Sequence, residues 1–208
     1  IDLRFQFLTI FLFTVSLLPT VLKGENLGIY TSKSWVNHRQ YSNPIGIGFL
    51  ITRPIKPQLS MILDFSYRKF QKEYFGEKVS RHSASLVKKE LVDNLSYTYN
   101  GFIWIKNDIF IFPTALIAVA VGAGVVSIDG ELTGMESGRQ VSYKSLNKIS
   151  GSIAVGVESL ISKKHLTFWN CYLNYQFFSA SVRLAEMPDP FSPFFRSVEI
   201  RLGLSHIF

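Results

Sequence analysis

Cysteine is almost missing: the chain of 208 residues holds one, Cys171. A single thiol builds neither a disulfide framework nor a cysteine metal site within one chain. No metal-ligand spacing, phosphate loop or dinucleotide fingerprint is present, and Gly122-Ala123-Gly124 lacks the strand–turn–helix setting that a phosphate loop needs. The formal net charge is +7, yet the Lys and Arg residues are scattered through turns and loops and no nucleic-acid motif accompanies them. An anionic membrane surface is therefore the expected partner, and nucleic acid is not. Four histidines (His38, His82, His165 and His206) stand without a nucleophile and an orienting acid at useful spacing. His82 and Ser83 are adjacent, and adjacent residues point apart on a strand. Neither a catalytic residue nor a cofactor or metal is expected.

What the chain does have is apolar and aromatic. Hydrophobic residues make up 47% and aromatics 14%, with 18 Phe and 9 Tyr, and charged residues still make up 18%. That charged fraction excludes a bundle of membrane helices over the whole length. Phe, Tyr, Ile and Val in such numbers favour strands. Residues 5–18, FQFLTIFLFTVSLL, follow Arg4 and precede Pro19 and Gly24. This run is shorter than the ~20 residues of a spanning helix, and a basic residue, a short apolar core and a nearby small residue read as a secretory signal. The expected division is residues 1–24 as signal peptide and 25–208 as one β domain. An uncleaved N-terminal anchor is the alternative, and either one exports the rest of the chain.

Eight runs follow, near 26–36, 44–53, 57–70, 94–106, 109–122, 149–162, 166–180 and 196–208. Several alternate strictly. Leu59, Met61, Leu63, Phe65 and Tyr67 oppose Ser60, Asp64, Ser66 and Arg68, and Val198, Ile200, Leu202 and Leu204 oppose Glu199, Arg201 and Ser205. A period of two puts each set on one side of a sheet. Most runs exceed the mode of about 5–6 residues for ordinary strands and suit the ~9–11 of tilted membrane strands. The apolar stretch 109–128 reads as one long strand running into a Gly/Ser-rich, mobile 123–148 loop. Residues 53–57, 106–108 and 162–165 read as short turns, against long connections at 37–43, 71–93, 123–148 and 181–195. Short and long connections alternate, as they do in an up-and-down barrel with one trimmed rim. The expected fold is all-β, a closed antiparallel transmembrane barrel of about eight strands.

These features resemble the small eight-stranded outer-membrane barrels of the OmpA/OmpX type, over nearly the whole chain after the signal. The resemblance is most specific in the last strand, VEIRLGLSHIF, with Ile200, Leu202, Leu204 and the terminal Phe208. It implies that these four residues form the signal read by the barrel-assembly machinery. It also implies that outer-membrane lipid surrounds the barrel and that the long loops can meet an extracellular ligand or host surface.

Eight strands leave an interior that side chains fill. Asp64, Arg68, Glu158, Glu199 and Arg201 are expected inside as a polar network, with Arg201 meeting Glu158 or Asp64. Tyr67, Tyr97, Tyr99, Trp35, Trp169 and Tyr175 are candidates for interfacial girdles; Trp104 falls on the inward side. The short turns are basic, through Arg53, Lys56, Lys106, Lys163 and Lys164. The functional expectation is a non-enzymatic barrel with a structural or surface-interaction role. Alternatives are a lipid-modifying barrel enzyme or narrow channel, and a soluble secreted barrel with its apolar faces turned inward around a small ligand.

Overall fold

The computed structural model describes residues 25–36, 43–77, 89–136, 138, 140–146, 148–179, 181–184 and 194–208. The expected signal peptide, residues 1–24, lies outside the described residues. Ten strands are present among the described residues: β1 (Asn26–Val36), β2 (Ile45–Lys56), β3 (Leu59–Glu77), β4 (Lys89–Ile111), β5 (Ala115–Gly134), β6 (Gln140–Leu146), β7 (Lys148–Ser162), β8 (Thr167–Ser179), β9 (Ser181–Leu184) and β10 (Phe194–Ile207). All pairings are antiparallel. The β4–β5 pairing closes eight of them into a ring in the order β1-β2-β3-β4-β5-β7-β8-β10. The two short strands β6 and β9 extend the sheet outside that ring, beside β5.

The register fixes how the ring closes. Starting at Ala118 and stepping across partners, the path runs through Gly156, Tyr172, Arg201, Ser32, Gly46, Arg68 and Thr98, and returns to β5 at Ile128. The strands are thus staggered by ten residues per circuit, so they tilt against the barrel axis. The stagger has to be even. With a side-chain period of two, an odd shift would set inward residues against outward ones along the seam.

Side chains sort by face. Outward positions hold Ile29, Ile47, Ile103, Ile105, Val121, Ile153, Val155, Leu173, Leu202 and Leu204, all exposed. Inward positions hold Asp64, Ser66, Arg68, Asn100, Asn174, Gln176, Glu199 and Arg201, all buried. The outer face is apolar, the inverse of a soluble protein's surface, and the interior combines these polar side chains with a buried apolar cluster that includes Ile62, Phe102, Trp104, Ala118 and Ala120. Large inward aromatics face inward glycines across the ladder: Tyr30 pairs with Gly48, Trp104 with Gly122 and Tyr172 with Gly156. A Cβ at Gly122 would sit 2.6 Å from the Trp104 ring, so each glycine vacates the space that its aromatic partner fills.

Two expectations are corrected by the strand boundaries. Lys106-Asn107-Asp108 is not a turn: β4 runs through it to Ile111, and the chain reverses at 112–114, where Phe112 N donates to Ala115 O at 2.7 Å. Pro113 explains the position, because a residue without an N–H is excluded from a central ladder. Likewise, β5 does not end near 122 in a long loop. It continues to Gly134 and returns as β6. At each of the three short turns the ladder carries an irregularity, at Pro54/Lys56, Asp108/Phe110 and Leu160/Ser162, which turns the strand ends into their hairpins.

The rim opposite these turns is uneven. The β2–β3 pairing ends at Ile45↔Lys69, whereas β3 and β4 stay paired to Glu77↔Lys89. Residues 70–77 of β3 therefore rise about 25 Å along the strand beyond β2. With β4, β5, β6 and β9 they form a raised wall on one side of the mouth. Phe70, Val92, Ile128 and Tyr143 are buried on it, and Tyr143 donates to Asn94 Oδ1 at 2.8 Å.

Candidate functional site: the plugged barrel interior

Two strands separated by β1 and β2 in the ring bring four of the expected interior residues into one cluster across the lumen. Asp64 and Arg68 come from β3, Glu199 and Arg201 from β10. Each pair is spaced to stay on one face of its strand. Arg201 Nη1 lies 2.5 Å from Asp64 Oδ2, and its Nε lies 2.9 Å from Glu199 Oε2. Arg68 Nη2 meets the same Glu199 oxygen at 3.0 Å. Two carboxylates and two guanidiniums thus alternate in the order Asp64–Arg201–Glu199–Arg68, with no net charge. Such a cluster survives burial only if its members are paired and their remaining donors and acceptors satisfied.

Neutral side chains supply much of that satisfaction, and Arg68 Nε and Glu199 Oε1 are the cluster atoms they leave without a hydrogen bond. Asp64 also accepts from Tyr30 Oη at 2.6 Å and Trp104 Nε1 at 3.1 Å. Glu199 accepts from Asn174 Nδ2 at 2.9 Å, and Arg68 donates to Gln176 Oε1 at 3.2 Å. The Arg201 guanidinium lies 4.8 Å from the centre of the Tyr30 ring and 5.4 Å from that of Trp104. It is held by cation–π contact as well as by charge.

Glu158 stands apart. It does not meet Arg201; it pairs with Lys106 Nζ at 3.0 Å and accepts a hydrogen bond from Tyr172. Lys106 also contacts Asp108 at 3.3 Å. This second cluster sits toward the short-turn end. It corrects the placement of Lys106 among the basic short-turn residues: Lys106 lies within β4 and its side chain is only 6% exposed. Between the two clusters lies a cavity of about 30 Å³, bounded by Asp64, Arg201, Trp104 and Tyr172. That is space for about one water molecule.

Several members of these clusters are not singled out by the sequence: Tyr30, Tyr172, Asn174, Gln176 and Lys106. Parity nevertheless places all of them. Trp104 and Lys106 share a face if the strand is carried through Asn107, and Asn174 and Gln176 continue the polar face that opposes Leu173 and Tyr175.

The remaining expected sites lie on the outer surface. Ile200, Leu202, Leu204 and Phe208 are exposed along one outer face of β10 and at its end. The His206 ring packs edge-on against Phe208 at 4.6 Å. Trp35, Trp169 and Tyr175 are exposed outward, Tyr67 stacks on Tyr97 at 5.9 Å and lies 5.5 Å from Tyr99, and Trp104 is inside. Among the described residues no group of His, Cys, Asp or Glu is arranged to hold a metal ion.

No protein-family model and no curated protein sequence matches the chain. Solved structures do. Neisserial surface protein A (NspA) is 11% identical and superposes with a TM-score of 0.60, over 89% of this chain and 98% of that one. A major outer membrane protein from Thermus thermophilus gives 9% identity and 0.55, over 88% and 99%. Ail, the attachment invasion locus protein of Yersinia pestis, gives 14% and 0.50, over 90% and 100%. Ail has also been solved in complex with the heparin analogue sucrose octasulfate. Sequence identity this low speaks for architecture alone, and the architecture is shared end to end: the chain has the fold of the small outer-membrane β-barrels.

Proposed function

We propose that the protein is an integral outer-membrane barrel that does not conduct and is not an enzyme, and that it acts through the wall raised above its outer mouth. The observation that carries the membrane reading is the inverted distribution of side chains. An uninterrupted apolar outer belt in water would be a very large exposed patch, and in lipid it is the required surface. A soluble ligand-binding barrel needs the opposite arrangement. The plug supports a closed interior, since the charges that could line a water path are instead bonded to one another. The same commitment leaves Asp64, Glu199 and Glu158 poorly placed as a general base, because each faces a guanidinium or ammonium partner.

On this reading the three short turns and the C-terminus lie in the periplasm, and the 70–77 and 128–134 segments stand outside the cell. Ile200, Leu202, Leu204 and Phe208 then serve the barrel-assembly machinery as the terminal strand. A surface-interaction role follows from the raised wall. A sheet held that far beyond the membrane has no part in spanning it. Ail, with the same fold, has been crystallised with a sulfated sugar, so a glycan of the host surface is one class of partner to screen.

The orientation is tested with cysteines introduced at Gln71 and Gln58 in a Cys171→Ser background. Both positions are exposed. A membrane-impermeant maleimide applied to intact cells should label Gln71→Cys, and should label Gln58→Cys only after the outer membrane is permeabilised. Equal labelling of both in intact cells would contradict the proposed orientation.

A further inference from the structure

The outer face of the barrel is not uniform. On the wall formed by β10, β1, β2 and β3 a groove of about 610 Å³ runs along β1, lined by Ile29, Thr31, Ile47, Phe49, Phe65 and Leu202. Thr31 is the small residue at its floor, flanked in register by Ile47 and Leu202. Phe49 and Phe65 stack at 5.0 Å to make one bank. A second depression of about 360 Å³ continues it toward the short-turn end and shares Ile29, Phe49 and Leu204 with it. Together they form a continuous apolar groove along the strand direction, open to the lipid side.

Charge is distributed to match. From the short-turn end upward, the outward positions Leu27, Ile29 and Thr31 of β1 carry none, and neither do Leu59, Met61, Leu63, Phe65 and Tyr67 of β3. The next outward residue on each strand is a lysine, Lys33 and Lys69, both exposed. They are held together by the ladder: Lys33 pairs with Ile45, and Ile45 pairs with Lys69. Their backbones are therefore about 10 Å apart, two strand spacings. Long ammonium side chains can close on one phosphate from that separation. Lys33 Nζ donates to Asn43 O at 2.9 Å, which keeps it at the mouth of the groove and leaves two of its three donors for a ligand. On β10 the first outward charge is again basic, Arg196.

We infer that this wall binds a phosphate-bearing lipid of the outer leaflet, with the phosphate between Lys33 and Lys69 and one acyl chain in the groove beneath. Two independent features point the same way: an apolar groove along the strands and a cationic pair at its outer end. The inference rests on the membrane reading above, which fractionation tests separately.

The test is native mass spectrometry of the folded, detergent-purified barrel, titrated with lipid A in its bis-phosphorylated form and after dephosphorylation. Each sample is first shown to be folded by its shifted migration on an unheated gel, so a missing lipid adduct is not a missing barrel. The wild type should retain the phosphorylated form about tenfold better or more. The variant Lys33→Glu/Lys69→Glu should lose that preference, and Lys163→Glu/Lys164→Glu at the opposite rim should keep it. Thr31→Trp, which fills the groove, should weaken retention of both forms. Excess inorganic phosphate should not displace the lipid. Equal retention of the two forms by the wild type, an unchanged preference in Lys33→Glu/Lys69→Glu, no effect of Thr31→Trp, or displacement by inorganic phosphate would each overturn the proposal.

Discussion

Glu199 is the residue on which the interior turns. It is fully buried and receives both arginines on one oxygen. Replacing it with Gln keeps the shape and removes the charge, leaving Arg68 without a carboxylate and Arg201 with Asp64 alone. Loss of one partner from a buried ionic cluster costs roughly 3–5 kcal/mol. Glu199→Gln should therefore lower the urea midpoint of the folded barrel substantially. Glu158→Gln, in the cluster at the more exposed short-turn end, should cost clearly less. Equal shifts would mean that the cluster is not the principal polar support of the lumen. The five expected interior residues are legible in the sequence because charged residues at alternating positions in long apolar strands have only one place to go. Their partners are not. Parity gives the face of a residue but not its height, and the ten-residue stagger that brings Asp64 level with Arg201 belongs to the closed ring and to no single strand.

At the scale of the element, glycine misleads. Gly122, Gly124 and Gly130, with Ser127 among them, look like a loop in a lone sequence. In the barrel they are strand residues whose missing side chains make room for Trp104, Phe102 and Tyr143 directly opposite. Gly122→Ala should destabilise by about 1–3 kcal/mol through overpacking, and most of that cost should vanish in a Trp104→Ala background. An additive double-mutant cycle would deny the pairing. The turn at 163–166 contains the converse case. Leu166 has φ 45°, a left-handed conformation that disfavours side chains by roughly 1–2 kcal/mol. Leu166→Gly should relieve that strain, with thermal denaturation showing no loss of stability or a small gain. Lys106 offers a chemical check on the strand boundary. As a buried strand residue it should resist an amine-reactive label in the folded barrel, while Lys163 and Lys164 in their exposed turn react. Labelling of all three at one rate would restore the turn that the sequence suggests.

At the scale of the whole molecule, the alternation of short and long connections is legible in the sequence itself, and it yields both the eight-stranded ring and its two unlike rims. The raised wall is not legible there. Residues 71–77 and 128–134 are both charged and contain Gly, so nothing local separates a strand that has left the membrane from a loop. Their pairing depends on the register inherited from the ring below. Hydrogen exchange should reveal that dependence: backbone amides of residues 70–77 should exchange faster than those of residues 60–68 on the same strand, because the upper segment lacks β2 as a neighbour. The central claim concerns the molecule as one object, a closed barrel with its apolar face turned to lipid. It is tested most directly by isolating outer membranes from expressing cells and running the protein on a mild-detergent gel, unheated and boiled. The account predicts that it resides in that fraction and that boiling changes its migration as the ring opens. A protein found soluble in the periplasm or medium, or one whose migration is the same before and after boiling, would contradict it.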